Sequence, residues 1–207
     1  MATATTRIRG THVPARFPKR GDVTAIIYGE APGPLGADKS GIPFWGDRSG
    51  KLVYQTLVEA GRCRVPVEFS DLPWDGAALA AEGYEPTMIS TAVSNAYPVC
   101  PTDDGHKFRA PKKAELRDPE NVARVEAELN KARKRGLKTV IVLGRHADWL
   151  LGLHLGLREQ TDVEYHQITH PSPLGLLWLK RQAGEGTRMA DVQKQWVRRF
   201  TAMLPEL

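Results

Sequence analysis

Four short apolar runs constrain the fold of this chain more than any other feature of its sequence. They read VTAIIYG, MISTAVSN, KTVIVLG and EYHQITH, and they occupy residues 23–29, 88–95, 138–144 and 164–170. Each is typical of a strand buried in a parallel sheet. Helical patterns lie between and after them, at residues 49–61, 118–136, 145–152 and 188–204. Strands that alternate with helices predict an α/β fold, a three-layer α/β/α sandwich with a four-stranded, mainly parallel central sheet.

Local signals mark the ends of two of these helices. Ser49 is the expected N-cap of the first helix, because its side chain can accept from free backbone N–H groups. Asp118 is the expected N-cap of the second, and Pro119 follows it at the first helical position. The stretch 62–87 is predicted to be an irregular connection with one short helix at AALAAEG.

The length and composition indicate one domain with a short extension. The chain has 207 residues, which suffices for a single α/β domain, predicted over residues 22–207. Residues 1–21 are basic and rich in Thr and Pro, and we expect them to form a flexible arm. No apolar run approaches the length of a membrane helix, and the N-terminus lacks the apolar core of a signal peptide. These features predict a cytoplasmic monomer that does not bind membranes.

Polar segments follow three of the four predicted strands. These segments are GEAPG, SNAYP and THPSP, which begin at residues 29, 94 and 169. Ligands of parallel α/β sheets bind at the carboxyl ends of the strands, so Glu30, Asn95 and His170 are expected to converge on one edge.

The glycine-rich first segment does not match either common phosphate-binding motif. Gly29 and Gly33 have the wrong spacing for a dinucleotide fingerprint. GDRSGKL (46–52) is one residue too short for a P-loop, and Leu52 stands where a hydroxyl is required. Taken alone, the loop could be a connection whose Gly and Pro residues only make turns.

The ordered set GEAPG, GIPFWG, SNAYP and HPSPL resembles the motifs of the uracil-DNA glycosylase superfamily, over most of residues 23–175. GEAPG is similar to the family-four, iron–sulfur enzymes. The loop GEAPGPLGADKSGIPF and the segment SNAYPV are similar to the single-strand-selective monofunctional class. The resemblance implies a monofunctional base excision repair enzyme that flips uracil out of single- or double-stranded DNA and hydrolyses its N-glycosidic bond. Two alternatives stay open: a glycosylase for a 5-substituted pyrimidine in phage or defence biology, and a non-catalytic DNA-binding protein. A net charge of +5 is compatible with a DNA partner.

The resemblance also assigns catalytic roles. Glu30 would stabilise the positively charged sugar or hold the attacking water. His170 would donate an N–H to O2 of the departing uracil anion. Ala31 stands where related enzymes carry an Asp or Asn that positions the water, and Asp38 is the residue that could compensate. His146 and His154 lack a comparable motif and are interpreted as surface or core residues.

Four residues are assigned to the base. Phe44 would stack on the flipped uracil, in preference to Trp45. Asn95 would accept from N3–H and donate to O4, a pattern that cytosine cannot match. Gly29 and Gly33 belong to the same pocket. Because Gly33 has no side chain, we expect room at C5 of the base and activity on 5-hydroxymethyluracil.

Other residues are assigned to the DNA strand or to alternative chemistry. Leu174 would wedge into the base stack, and phosphates would meet the side chains or helix ends at Ser172, Arg48, Ser49, Lys180 and Arg181. The two cysteines, Cys63 and Cys100, suggest no disulfide framework and cannot supply a four-cysteine cluster, so no metal or cofactor is expected. One branch of the superfamily uses a loop histidine as a covalent nucleophile, and His106 lies in the corresponding connection. A solvated basic loop is the simpler interpretation of that segment.

Overall fold

The computed structural model describes residues 7–207, and its centre is the predicted sheet. Within these described residues there are six strands, β1 to β6 in order: Ala25–Gly29, Cys63–Arg64, Thr87–Met88, Thr91–Asn95, Thr139–Leu143 and Glu164–Ile168. Four of them form one sheet in the order β4-β1-β5-β6, and all of its pairs are parallel. The two shortest strands, β2 and β3, form a separate antiparallel pair. The α/β prediction is confirmed, and each of the four predicted strands lies where its apolar run indicated.

In the part of the chain that the structure describes, eight α-helices accompany the sheet. They are α1 to α8 in order: Ala37–Ser40, Arg48–Glu59, Gly76–Ala81, Lys113–Leu116, Pro119–Arg133, Arg145–Asp148, Pro173–Ala183 and Met189–Ala202. A turn of π-helix, Trp149–His154, continues α6, and two short 3-10 turns lie at Phe69–Asp71 and Leu157–Glu159. The four predicted helical segments correspond to α2, α5, α6 with its π-helical continuation, and α8. The expected short helix within 62–87 is α3, whereas α7 was not predicted.

The helix caps agree with the sequence at one site and differ at the other. Asp118 caps α5, and its Oδ1 accepts from the Glu120 N–H at 3.0 Å. The predicted cap of α2 is wrong, because that helix begins at Arg48 and its N-cap is Asp47. Ser49 therefore lies inside the first turn.

Two apolar cores lie on opposite faces of the sheet. All five residues of β1 are buried. Ile27 packs in one core with residues of α2, α7 and α8. Ile26 and Tyr28 pack in the other core with residues of α5 and of the α6 segment. This alternation along one strand is the geometry of a sheet covered by helices on both sides, and it defines three layers.

The N-terminal segment is packed against the domain from residue 7 onwards. Ile8 and Val13 are buried. The Ile8 N–H donates to the Gly105 carbonyl at 2.9 Å, and Arg16 forms an antiparallel bridge with Val93. The prediction of a flexible arm is therefore wrong for residues 7–21, because their apolar side chains and backbone groups find partners in the domain. Residues 1–6 of that predicted arm lie outside the described part of the chain.

The parallel register places the candidate residues on one edge of the sheet. Gly29 is in register with Asn95, and Leu143 is in register with Ile168. Glu30, Gly144 and Thr169 therefore follow directly at the carboxyl ends of three adjacent strands. Within residues 7–207, no helix is long and apolar enough to cross a membrane.

Candidate active site

A cavity of about 800 Å³ opens at this edge of the sheet. Its wall is built from segments that follow β1, β5 and β6, with contributions from α7 and α8. The charged, imidazole and exposed apolar side chains on it are Glu30, Arg145, His146, His170, Leu174, Trp178 and Arg199. The cavity therefore combines one carboxylate, two imidazoles, two guanidinium groups and exposed apolar surface.

Glu30 is held at both its backbone and its side chain. Its carbonyl accepts from the Tyr97 N–H at 3.0 Å, which continues the pairing of β1 and β4 beyond the last strand residue. Its Oε1 accepts from the backbone N–H of His146 and lies 3.0 Å from the Nδ1 of the same residue. The carboxylate thus rests at the start of α6, where backbone N–H groups favour an anion.

Gly144 makes room for this carboxylate. Its backbone has φ +96° and ψ 172°, a conformation that is essentially restricted to glycine. A Cβ at this position would lie 2.5 Å from Glu30 Oε1 and 2.8 Å from its Cδ. The glycine therefore serves both the turn from β5 into α6 and the placement of Glu30.

His170 lies on the cavity wall, two residues after the end of β6. The Trp196 Nε1 of α8 donates to the Thr169 carbonyl at 2.8 Å and fixes the chain just before the histidine. The absence of a side chain at Gly175 lets the first turn of α7 approach the His170 carbonyl. Burial lowers the pKa of His170, and the nearby Glu30 carboxylate opposes this shift in part. The ring is therefore neutral at neutral pH, with one N–H to donate.

Phe44, Asn95 and Gly29 meet beside Glu30. A Cβ on Gly29 would lie 2.6 Å from the Phe44 ring and 2.7 Å from Asn95 Oδ1, so both side chains cover that glycine. Phe44 is 3% exposed and has a left-handed φ of +63°, which is uncommon for a bulky side chain. Asn95 is 2% exposed, and its Nδ2 has no hydrogen-bond partner among the described residues. These three residues adjoin the cavity at Glu30 but do not form its wall.

Trp45 lies in the core and not in the site. It is fully buried, its Nε1 donates to the Tyr84 carbonyl, and its ring packs against Tyr54 and Trp74. The preference for Phe44 over Trp45 as the stacking residue is in keeping with this placement.

The space beside Gly33 is filled, contrary to the expectation from the sequence. A Cβ there would lie 2.7 Å from the Asp47 Cγ, because the Asp47 carboxylate occupies that space. Asp47 Oδ2 also accepts from the N–H groups of Gly33 and Ala37, both at 3.3 Å. The missing side chain accommodates this carboxylate, so it does not open room beside C5 of a base. The expectation based on an open wall at Gly33 is wrong for this reason.

Asp38 is engaged in the structure of the loop. Its side chain is buried, and its two oxygens accept from the backbone N–H groups of Arg9 and Gly10, each at 2.8 Å. The Lys39 ammonium lies 2.8 Å from Oδ2. Asp38 does not lie on the wall of the cavity, and its hydrogen bonds tie the N-terminal segment to the loop.

The residues assigned to DNA fall into two groups. Ser172 and Leu174 lie on the cavity wall: the Ser172 Oγ caps α7 by accepting from the Gly175 N–H at 3.2 Å, and Leu174 is 79% exposed. Lys180 and Arg181 lie in the last turn of the same helix, about two turns beyond Leu174. Arg48 and Ser49 lie in the first turn of α2, outside the cavity wall.

The structure adds four side chains that the sequence analysis did not assign. Arg145 and His146 follow β5, Trp178 lies one turn beyond Leu174 on α7, and Arg199 reaches the cavity from α8. The interpretation of His146 as an ordinary surface or core residue is wrong, because it is hydrogen-bonded to Glu30. The position of Arg145–His146 directly after a buried strand was the available signal.

The remaining candidates lie away from the cavity. His106 is exposed in a loop whose turn is capped by Asp104. Cys63 and Cys100 are buried, and burial raises the pKa of each thiol to about 12. Among residues 7–207, no group of three or more His, Cys, Asp or Glu side chains is arranged to hold a metal ion.

Comparisons with known proteins place these motifs in a family context. No protein-family model matches the chain. Over 150 residues the chain is 31% identical to the type-5 uracil-DNA glycosylase of Thermus thermophilus, and the alignment covers 72% of this chain and 59% of that protein. The chain thus spans about three fifths of the length of this relative. The crystal structure of wild-type SMUG2 from Pedobacter heparinus superposes with a TM-score of 0.49 at 14% identity, covering 87% of this chain and 76% of that one. The ordered motifs at the strand ends and the similarity to the Thermus protein show that the chain belongs to the uracil-DNA glycosylase superfamily.

Proposed function

We propose that this protein hydrolyses the N-glycosidic bond of uracil in DNA, acting on a nucleotide flipped out of the strand. The observation that carries the proposal is the buried Asn95 amide, whose Nδ2 has no partner among the described residues. An unpaired buried donor costs about 1–3 kcal/mol, so its retention beside a buried aromatic ring indicates that a ligand completes it.

Uracil is the base whose edge fits this amide. Asn95 Nδ2 can donate to O4, while Oδ1 can accept from N3–H. Cytosine carries an amino group at C4 and an unprotonated N3, so both hydrogen bonds would be lost. The Phe44 ring, which covers the adjacent Gly29, supplies an apolar face for the pyrimidine.

The cavity residues fit the bond-breaking step. As the C1′–N1 bond breaks, its electron pair goes to N1 and leaves a uracil anion and a cationic sugar. The neutral His170 ring donates its N–H to O2 of the anion. The Glu30 carboxylate faces the cationic carbon and accepts one proton from the water whose oxygen bonds to C1′. Uracil N1 then gains a proton from solvent, so the products are uracil and an abasic sugar.

The rim of the cavity suits a DNA strand. Leu174 and Trp178 are 79% and 53% exposed and lie four residues apart on α7. Exposed aromatic and apolar side chains can replace the stacking that a flipped base leaves behind, which costs a few kcal/mol. Arg145 and Arg199 border the same cavity and can contact phosphates.

Activity on 5-hydroxymethyluracil remains a prediction, without the support expected from Gly33. The same holds for a modified pyrimidine as the main substrate. Both are tested together with uracil hydrolysis, because the base is varied within one oligonucleotide context.

The test is excision from single- and double-stranded oligonucleotides that carry uracil, 5-hydroxymethyluracil or cytosine at one position. We expect excision of uracil and none of cytosine. DNA binding with no excision of any base would refute the proposed activity and favour a non-catalytic DNA-binding protein. Faster excision of the substituted base than of uracil would change the assigned substrate.

A further inference from the structure

The hydrogen bonds of Glu30 distinguish its two carboxylate oxygens. Oε1 accepts from the backbone N–H of His146 and lies 3.0 Å from His146 Nδ1. Oε2 makes no hydrogen bond within residues 7–207, although the side chain borders the cavity. One oxygen is therefore occupied by the protein, and the other is available to the substrate and its water.

His146 reaches Glu30 because of how the chain leaves β5. Gly144 turns the backbone at φ +96°, and His146 follows as the second residue of α6. The side chains of His146 and Glu30 are 29% and 26% exposed, so both are accessible from the cavity. The contact joins two residues 116 positions apart, at the ends of neighbouring strands.

The other polar side chains around the cavity do not share this contact. Arg145, Arg199 and His170 also border it. In the described part of the chain, none of them donates a hydrogen bond to the Glu30 carboxylate. The next residue after Glu30 is Ala31, whose methyl group offers no polar atom. His146 is thus the side chain that can orient this carboxylate.

We infer that His146 is a positioning residue for Glu30: its Nδ1–H holds Oε1 so that Oε2 faces the water that attacks C1′. A carboxylate accepts only, so the imidazole must carry its proton on Nδ1 to make this bond. When Oε2 takes the proton of the water, the Nδ1–H bond to Oε1 keeps the carboxyl group in place. This inference rests on the proposed function. It assigns to the His146–Glu30 pair the positioning of the water, for which Ala31 offers no polar group.

The experiment compares His146→Ala, His146→Asn and the control His154→Ala. His154 is exposed, lies on the π-helical continuation of α6 and stacks on Trp149, away from the cavity wall. Single-turnover excision of uracil is measured at saturating enzyme, and affinity is measured with an oligonucleotide that carries a stable abasic-site analogue.

We expect His146→Ala to lower the excision rate about 10²-fold, the usual effect of misplacing a reacting group by about 1 Å, with DNA affinity unchanged. His146→Asn should recover most of the rate, because its amide N–H can replace Nδ1–H, and free imidazole should partly rescue His146→Ala. His154→Ala should retain the parental rate.

Two results would overturn the inference. One is a parental rate in His146→Ala, and the other is a loss in His146→Ala that neither asparagine nor imidazole restores. The tautomer gives a test that needs no activity: ¹⁵N NMR of the free protein should show the His146 proton on Nδ1. A proton on Nε2 alone would exclude the hydrogen bond to Glu30, whereas Nδ1–H in a protein that excises no base would refute the proposed function instead.

Discussion

The variant Gly144→Ala tests whether the excision rate depends on the position of Glu30 as well as on the stability of the fold. The substitution acts in two ways. Alanine is strained at φ +96° and ψ 172°, at a cost of about 1–3 kcal/mol. Its Cβ would also lie 2.5 Å from Glu30 Oε1, whereas ordinary van der Waals contact begins at 3.4 Å. The carboxylate must therefore retreat by roughly 1 Å, and such a displacement at a reacting centre costs about 10²-fold in rate.

Gly184→Ala is the matched control for this change. Gly184 ends α7 with φ +95° and ψ 171°, almost the same backbone conformation, and a Cβ there meets nothing within 4 Å. Alanine at position 184 therefore brings the same type of strain without the contact. Any difference in activity between the two variants reports the displacement of Glu30.

Urea unfolding and single-turnover excision of uracil measure the two effects. Both variants should lose stability, by up to about 3 kcal/mol, and both remain folded in buffer if the parent has ordinary stability. Only Gly144→Ala should lose about two orders of magnitude in excision rate. Equal rates in the two alanine variants would refute the reasoning, because Glu30 would then tolerate the displacement.

Four further changes test the remaining assignments. His170→Ala should lower single-turnover excision about 10²- to 10³-fold, as for loss of an oxyanion donor, while DNA binding in a gel-shift assay persists. Asn95→Asp should weaken uracil excision and reduce the preference for uracil over cytosine in competition assays, because a carboxylate cannot donate to O4; an unchanged preference would remove Asn95 from base recognition. Trp178→Ala should weaken binding of single-stranded DNA by about 1–3 kcal/mol in a fluorescence titration, whereas the exposed Leu153→Ala, away from the cavity wall, should not. Burial raises the pKa of Asp47 to about 6, so the folded protein holds this proton more tightly than the unfolded chain and stability falls as pH rises from about 4 to 6. Unfolding curves should show roughly 3 kcal/mol less loss over that range in Asp47→Asn than in the parent, and an equal loss in both proteins would contradict this assignment.

The sheet and most of its helices could be predicted because their signals are local. The apolar runs around Ile27, Val93 and Ile141 mark strands whose residues are all buried, and the run around Ile168 marks the edge strand β6, of which only the last residue is buried. The Asp118–Pro119 pair marks the start of α5. Helix α7 carries a comparable start signal at Ser172–Pro173, but Leu174, Leu177 and Trp178 are exposed, so its apolar residues do not form one stripe that faces the core.

The contacts of the site could be predicted only in part. The segments after β1, β4 and β6 were expected at one edge, because the carboxyl ends of parallel strands lie on the same edge of a sheet. The contact between His146 and Glu30 has no local pattern, because the two residues are 116 positions apart and the histidine stands outside any recognised motif. The sequence also does not show which neighbour fills the space left by a glycine, so the Asp47 carboxylate beside Gly33 was not predicted.

The packed N-terminal segment has a consequence for the order of synthesis. Its partners come later in the chain: Arg9 and Gly10 donate to Asp38, Arg16 pairs with Val93, and Ile8 donates to Gly105. As the chain leaves the ribosome, residues 8–16 emerge before these partners, which follow in the order Asp38, Val93 and Gly105. Contacts between such distant residues form late and slowly. Residues 8–16 are therefore expected to complete their docking late, after Gly105 has emerged, and the loop that carries Asp38 reaches its final form only then.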